Sequence, residues 1–179
     1  MLPDPLPRTT ERLHLRRFQV TDLAAFQTYR HDPKVQRYQG WKPQSDELAA
    51  RFLAEMAAES FFPLGQWLQI GVALRENDYL IGDVGIHAAH DGLSADLGFT
   101  FSTQYQGQGY ASEAVRAVIA LLFETTAVTH IAASADADNA PSWRLLERVG
   151  MQRTRTEAGS FRDLPCIDHF YQIQRPSVA

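Results

Sequence analysis

The sequence predicts a mixed α/β (α+β) domain whose central twisted sheet is mostly antiparallel. Two runs with strand composition, residues 66–74 and 79–87, are joined by a short polar turn, which is the signature of a β-hairpin. Amphipathic helices with apolar residues at helical spacing come before and after this hairpin. No repeat or linker-like stretch interrupts the 179 residues, of which 45% are hydrophobic. A chain of this length can bury roughly 70% of its unfolded surface, so we expect one domain over residues 1–179.

Local patterns place the elements in chain order. Proline-rich residues 1–10 are expected to form an extended arm. The predicted strands cover residues 13–18, 66–74, 79–87, 95–102, 129–135, 151–157 and 166–174, the last two joined by a loop at 158–165. About four helices flank the sheet, and residues that favour helix starts precede them: Thr21 or Asp22, Ser45 or Asp46, Gly109, and Asn139.

Composition and charge exclude several classes of function. The net charge is −4 without a basic run, which disfavours binding to nucleic acid or to an anionic membrane surface. Cys166 is the single cysteine, so we expect no disulfide within the chain, no cysteine metal cluster and a reducing compartment. The histidines lack metal-ligand spacing, and neither a signal peptide nor a membrane-spanning run is present. We therefore expect a cytoplasmic protein without a metal.

The most informative stretch runs from Leu97 to Glu113. A short apolar strand leads into a loop with two glycines, Gly107 and Gly109, and an amphipathic helix follows from Tyr110. The first amides of a helix lack partners within it, and the helix dipole favours an anion at that end. The sequence therefore predicts a phosphate cradle made by backbone N–H groups.

Two other interpretations of this loop are open. It can be an ordinary strand-to-helix turn that needs glycine. It can also be a dinucleotide-binding loop, with Asp136 or Asp138 as the ribose-binding acid. The third glycine of G-x-G-x-x-G is missing, and the antiparallel pattern upstream argues against the series of βαβ units that such a site requires.

The segment Gln104–Gly109 fits the Q/R-x-x-G-x-G/A pattern and resembles the GNAT acetyltransferases. Y-Q-G-Q-G-Y-A-S-E-A and the opening T-E-R-L-x-L-R resemble the RimJ/RimL-like branch of ribosomal-protein N-acetyltransferases. The resemblance implies a GNAT fold, with a V-shaped cleft where strands 95–102 and 129–135 splay apart. It also implies acetyl-CoA as co-substrate.

The resemblance further implies where acetyl-CoA binds. Its pyrophosphate would lie on the backbone amides of residues 106–111, with the Ser112 hydroxyl as a further donor, and the pantetheine arm would pair with the strand edge. A backbone N–H of that edge would stabilise the oxyanion. The expected cofactor-binding residues are Phe99, Thr100, Phe101, Gln104, Gln106, Gly107, Gln108, Gly109, Tyr110, Ala111, Ser112 and Asn139.

Two residues near the start of the last helix have both a functional and a structural interpretation. By resemblance Asn139 contacts the pantetheine arm, and the alternative is a helix cap. By resemblance Ser142 protonates the departing CoA thiolate, and the alternative is a first-turn serine bonded to its own backbone.

The general base is the least determined group. Asp96 directly precedes L-G-F, where relatives often carry an acid, and is the first candidate; an aspartate there is otherwise simply solvated. His87, Asp83 and Glu157 follow, and Ser160 stands where serine-dependent relatives have a glutamate. Tyr38, Trp41 and His87 are the expected substrate contacts.

The acceptor is expected to be a primary amine. An α-amine, with a pKa of about 8, is partly neutral in the cytoplasm, whereas a lysine must lose roughly three further units, about 4 kcal/mol. A site without a strong base therefore favours a protein N-terminus, with aminoglycosides or polyamines as alternatives. A non-catalytic acyl-CoA-binding sensor module and a nucleotide-dependent oxidoreductase are the other hypotheses. We expect a monomer or a homodimer.

Overall fold

The computed structural model describes residues 4–177, so the first three residues of the expected arm lie outside the described residues. Within this range the strands are β1 (Arg8–Thr9), β2 (Leu13–Arg16), β3 (Trp67–Leu74), β4 (Leu80–Ala88), β5 (Ser94–Phe101), β6 (His130–Asp136), β7 (Gln152–Phe161) and β8 (Leu164–Gln174). The α-helices are α1 (Leu23–Arg30), α2 (Pro33–Gln36), α3 (Asp46–Ala58), α4 (Tyr110–Thr125) and α5 (Ala140–Arg148). Short 3₁₀ turns cover Val20–Asp22 and Thr103–Tyr105.

One sheet holds all eight of these strands, in the order β1-β2-β3-β4-β5-β6-β8-β7. Every neighbouring pair is antiparallel except β5 and β6, which are parallel. These two strands pair only over Ser94–Asp96 and His130–Ala132, although both continue for four or more residues beyond that point. The sheet therefore opens into the expected V-shaped cleft, and the predicted fold class is confirmed.

Helices cover both faces of the sheet. On one face α4 buries an apolar stripe that includes Val115, Val118 and Leu122, and α5 adds Leu145 and Leu146 to the same core. On the other face α1 and α3 enclose a smaller core around Phe26, Tyr29 and Leu53. No helix of residues 4–177 has both the length and the apolar character to cross a membrane.

The final hairpin is longer than its sequence indicated. Only Arg162 and Asp163 separate β7 from β8, and both have positive φ (53° and 64°), as a tight two-residue hairpin turn requires. The loop expected at 158–165 was therefore wrong. Gly159 and Pro165 are unfavourable within a strand, and they suggested that the strands end there. Pro165 is tolerated because β6 ends opposite Asp168, so among residues 4–177 the side of β8 that faces β6 has no strand partner at Pro165.

Two smaller differences lie near the N-terminus. Arg8–Thr9 of the expected arm form an antiparallel bridge to His14 and Leu15 and so extend the sheet. The stretch after Asp32 contains α2, where the sequence indicated only a loop, because the Asp32 side chain caps Lys34 N and proline occupies the first helical turn.

Two glycines of neighbouring strands provide a matched test of packing. A Cβ added at Gly82 would lie 2.4 Å from Thr100 O and 2.7 Å from the Phe101 ring, whereas one added at Gly98 meets nothing within 4 Å. We expect Gly82→Ala to lower the free energy of unfolding by about 1–3 kcal/mol, because the strands must move apart. Gly98→Ala should change it by less than about 1 kcal/mol. Urea denaturation measures both, and equal effects would contradict this account of the sheet.

Candidate active site

Two clefts lie on either side of the opening between β5 and β6. The loop cleft, of about 1370 Å³, is lined by the glycine loop 106–109, the first half of α4 and one side of α5 along its whole length. The sheet cleft, of about 1050 Å³, is lined by residues from β3 to β8 and by Trp41. Gln39, Phe99 and Thr100 line both clefts. A molecule bound in one cleft can therefore meet a molecule bound in the other at these three residues.

The glycine loop has a backbone that favours glycine. Gly107 and Gly109 have φ values of 74° and 84°, in the left-handed region that side chains rarely adopt. Gly109 is the N-cap of α4, and the Gln108 side chain closes the loop by donating to Gln104 O at 2.8 Å. The first amides of α4, from Tyr110 to Ser112, lack partners in the helix, and Ala111 and Ser112 lie at the wall of the loop cleft.

A partly buried carboxylate fixes the loop to the start of the sheet. Glu113 accepts hydrogen bonds from Thr10 Oγ1 at 2.6 Å, Arg12 N at 2.8 Å and Arg12 Nε at 2.7 Å. Arg12 also donates to Gln108 O at 3.0 Å. Partial burial opposes ionisation of Glu113, but the hydrogen bonds from Thr10 and Arg12 outweigh it and lower the pKa of the carboxyl.

Within the described part of the chain, the loop cleft is lined by five basic and three acidic residues, and three of the basic ones are arginines of α4 and α5. Arg116, Arg144 and Arg148 line it, from α4 and α5. Arg148 donates to Ser112 Oγ at 3.2 Å, and Arg116 donates to Arg148 O at 2.8 Å. The buried Ser112 hydroxyl thus accepts a hydrogen bond, whereas only a donor role was expected. These arginines were not among the predicted site residues, although Arg116 lies one turn after Ser112, and Arg144 and Arg148 lie one turn apart.

The edge of β5 faces the opening between the clefts. Gln39 Nε2 donates to Phe99 O at 3.4 Å, and Gln106 Nε2 donates to Phe101 O at 2.9 Å. In a strand the N–H and C=O of one residue point to the same side, so the Phe99 N–H faces the opening as well. Side-chain amides thus hydrogen-bond to two carbonyls on the edge of β5 that, in the part of the chain that the structure describes, has no strand partner beyond its short pairing with β6.

The start of α5 differs from the expected cap. Asn139 is the N-cap residue, but its side chain makes no capping hydrogen bond. Its carbonyl instead accepts from the N–H groups of Ser142, at 3.0 Å, and Trp143, at 3.2 Å. The side chains of Asn139 and Ser142 both lie at the wall of the loop cleft.

The acidic candidates differ in their surroundings. Asp96 lies at the fork of the V, opposite Ala132 of β6, with its carboxylate 63% exposed and 3.7 Å from His87 Nδ1. Asp83 is buried and accepts from Tyr29 OH at 2.6 Å and Arg30 at 3.2 Å. Burial, and then the charge of Asp83, raise the pKa of Tyr29. Of the two acids that line the sheet cleft, Asp96 is the one open to solvent.

The remaining candidate base is less suitably placed. Glu157 is exposed, forms an ion pair with Arg155 at 2.8 Å and lines neither cleft.

The expected substrate contacts separate into different places. Trp41 lines the sheet cleft, with the Arg30 guanidinium 4.1 Å from the centre of its ring. Tyr38 lines the loop cleft instead and donates to Asp138 O at 3.3 Å. His87 lines neither cleft directly; it packs on Trp67, with ring centres 5.4 Å apart, and contacts Asp96.

Ten of the twelve expected cofactor-binding residues line the loop cleft, and Gln104 and Tyr110 do not. The carbonyl of Gln104 instead holds Gln108. The ring of Tyr110 packs beneath Arg12, whose guanidinium lies 4.4 Å from the ring centre. Both residues therefore support the shape of the loop.

One group of potential metal ligands lies away from both clefts. Asp136, Cys166 and Asp168 have ligand atoms within 4.8 Å of one another, near the turn of the final hairpin. Desolvation, and then the negative charges of Asp168 and Asp136, raise the pKa of the Cys166 thiol.

Comparison with known proteins connects this geometry with a chemistry. Residues 12–152 match the acetyltransferase (GNAT) domain family. The chain is 31% identical over 147 residues to the uncharacterized N-acetyltransferase YnaD of Bacillus subtilis (strain 168), covering 81% of this chain and 82% of the relative.

Solved structures share the fold. An acetyltransferase of the GNAT family from Bacillus anthracis superposes with a TM-score of 0.83 at 24% identity, covering 93% of this chain and 97% of that one. RimL, the ribosomal L7/L12 alpha-N-protein acetyltransferase, in complex with coenzyme A, superposes with a TM-score of 0.78 at 13% identity, covering 94% and 97%.

The Glu113 contacts predict a pH-dependent contribution to stability. Because the folded-state pKa of Glu113 is lowered, its contribution is present above the unfolded-state pKa and is lost as the pH falls through the folded-state pKa. We expect Glu113→Gln to lower the free energy of unfolding at pH 7 by about 1–3 kcal/mol. The difference from the unsubstituted protein should shrink as the pH falls below about 4.

Glu124→Gln is the control on the same helix. Glu124 pairs with Arg8, but both side chains are about half exposed, so its loss should cost less than about 1 kcal/mol. Denaturant titrations from pH 3 to 8 measure both variants. A Glu113→Gln effect that is no larger than the control, or that does not change with pH, would contradict the anchoring role.

Proposed function

The chain belongs to the GNAT family and is an N-acetyltransferase, and we propose that it transfers the acetyl group of acetyl-CoA to the α-amine of a peptide or protein. The observation that carries this proposal is the meeting of two clefts at Gln39, Phe99 and Thr100. One cleft has the features of a phosphate site, and the other is open to a second molecule. Acetyl transfer requires such a junction, because the thioester and the amine must meet directly.

The loop cleft is the proposed donor site. The left-handed glycines and the first amides of α4 would hold the pyrophosphate of acetyl-CoA, and Arg116, Arg144 and Arg148 add positive charge beside them. The pantetheine arm would run along the β5 edge toward the fork, where it would displace the side-chain amide of Gln39 from Phe99 O. Asn139, without a capping bond, is available to contact the arm.

The reaction needs few groups. The amine nitrogen attacks the thioester carbon, and the Phe99 N–H would stabilise the oxyanion that forms. Asp96 would accept the proton that the amine nitrogen loses. When the tetrahedral intermediate collapses, the C–S bond would break and the thiolate would take a proton from Ser142, giving free CoA and the acetylated amine. Ser142 would regain a proton from water, and Asp96 would release its proton to solvent, so that both groups return to their starting states.

The sheet cleft is the proposed acceptor site. The space above Gly98 of β5 is open, since a Cβ there would meet nothing within 4 Å, and Ala132 of β6 adds only a methyl group to the cleft wall. The Gln69 side chain covers the neighbouring Gly85 and forms one side of this trough. Such a trough suits an extended peptide backbone. Asp96 is exposed and therefore a modest base, which suits an α-amine better than a lysine.

Membership of the RimJ/RimL-like branch is part of the proposal. Its support is that the two motifs which carry the resemblance are in contact: Thr10 and Arg12 of the T-E-R-L opening bind Glu113 of Y-A-S-E. The two motifs therefore form one structural unit.

A combined binding and turnover experiment tests the function. Acetyl-CoA and CoA should raise the melting temperature, and acetyl-CoA with a peptide amine should release free thiol. Stabilisation without thiol release with any amine would favour a non-catalytic acyl-CoA-binding module. Stabilisation by NAD but not by CoA would overturn the proposed donor site.

A substitution at Asp96 tests the proposed base. We expect Asp96→Asn to lower kcat about 10²- to 10⁴-fold at pH 7, with little change in the affinity for acetyl-CoA, because Asp96 lines only the sheet cleft. The difference in kcat between Asp96→Asn and the unsubstituted protein should become smaller as the pH rises, because more of the amine is then already neutral. An unchanged kcat at pH 7 would rule out Asp96 as the base.

A further inference from the structure

We propose that the acceptor is a peptide N-terminus with an acidic side chain among its first few residues, and that Arg155 recognises that side chain. This inference rests on the proposed function and specifies the substrate of the same site. It follows from the arrangement of charges along the sheet cleft, with Asp96 at the fork of the V and Arg155 at the opposite wall.

A break in the strand register turns Arg155 into the cleft. β7 is irregular between Arg153 and Arg155, so Arg153 pairs with Tyr171 and Arg155 pairs with Phe170, the next residue of β8. Neighbouring residues of a strand point to opposite faces of the sheet. Arg155 consequently lines the sheet cleft, whereas Arg153 contacts Glu147 of α5 on the other face.

Packing orients the Arg155 guanidinium. Its central carbon lies 3.7 Å from the centre of the Phe170 ring, which fixes the plane of the group and leaves its edge for hydrogen bonds. The ion pair with Glu157 uses Nε, and its partners are both 54% exposed, so the pair is weak and readily exchanged. Among residues 4–177, the terminal guanidinium nitrogens of Arg155 have no hydrogen-bond partner.

The other charges of the cleft do not compete for the same ligand group. Arg30 is buried and already paired with Asp83, and it stacks on Trp41. Asp96 is negative but lies at the fork, where the amine must approach. The charges accessible to a ligand therefore form a dipole, which matches an acceptor with its amine at one end and an anion at the other.

The distance sets the position of that anion. Asp96 is on β5 and Arg155 is on β7, three strand spacings or about 14 Å apart in the order β5-β6-β8-β7. Asp96 pairs with Ala132 of β6, whereas Arg155 lies in the row of Ser134, about 7 Å further along the strands, so the two backbones are roughly 16 Å apart. An extended peptide covers this distance in about five residues at roughly 3.3 Å each, and side chains that reach toward each other shorten it. The acidic residue is therefore expected at positions 2 to 4. A polyamine or aminoglycoside would instead bring a second cation to Arg155.

Six-residue peptides with free N-termini test this inference. One peptide carries Asp or Glu at positions 2 to 4, the second carries Asn or Gln there and the third carries Lys, with spermidine as a fourth acceptor. We expect kcat/KM for the acidic peptide to exceed that for the neutral one by about three- to tenfold. The lysine peptide and spermidine should be poorer substrates than both.

Variants of β7 assign the effect to one side chain. Arg155→Gln should bring the acidic-to-neutral ratio of kcat/KM close to one, and Arg155→Glu should reverse the preference. Arg153→Gln, which removes the same charge from the opposite face of the strand, should leave the ratio as it is. Melting temperatures of the variants show whether each is folded.

The outcomes separate this inference from the function on which it rests. Acetyl transfer that ignores peptide charge, prefers lysine peptides or spermidine, or keeps its acidic preference in Arg155→Gln overturns the inference and leaves the N-acetyltransferase assignment intact. Absence of transfer to any of the four acceptors overturns both.

Discussion

The candidate site depends on the early end of one strand pairing. β5 and β6 share a parallel register for three residues and then separate, although both strands continue. If the pairing continued, those backbone groups of residues 97–101 that point away from β4 would be bonded to β6, and a ligand could not reach them. The separation leaves this edge of β5 open and connects the loop cleft with the sheet cleft. The proposed donor and acceptor sites lie on either side of this opening.

Two further constraints keep the opening in a usable form. Glu113 ties the first turn of α4 to Thr10 and Arg12, so the glycine loop is held against the start of the sheet. α5 begins where β6 ends and carries Arg144 and Arg148 to the same cleft as Arg116 of α4. A loop of glycines without these contacts would be conformationally free, and ordering it would reduce the affinity for an anion.

The two clefts differ in how they treat charge. In the loop cleft, arginine side chains lie beside backbone amides that have no partner within the helix. This arrangement suits a ligand with several negative charges. The sheet cleft balances its charges, with a buried Arg30–Asp83 pair on one side and the separated Asp96 and Arg155 on the other. The sheet cleft can therefore discriminate among acceptors by where their charged groups lie along the molecule. The net charge of the cleft alone would not distinguish them.

Local sequence patterns were enough to predict the strand, the glycine loop and the helix that follows it. These depend on local properties: apolar spacing along the chain, and positive φ at Gly107 and Gly109. Which side chains meet at the site follows only from the folded chain. Arg12 and Glu113 are 101 residues apart, and Gln39 and Phe99 are 60 residues apart, so their contacts follow from sheet order and helix packing. The direction of Arg155 depends on a single irregularity in β7. Strand register turns a side chain to one face or the other with each one-residue shift, and no local pattern in the sequence specifies that shift.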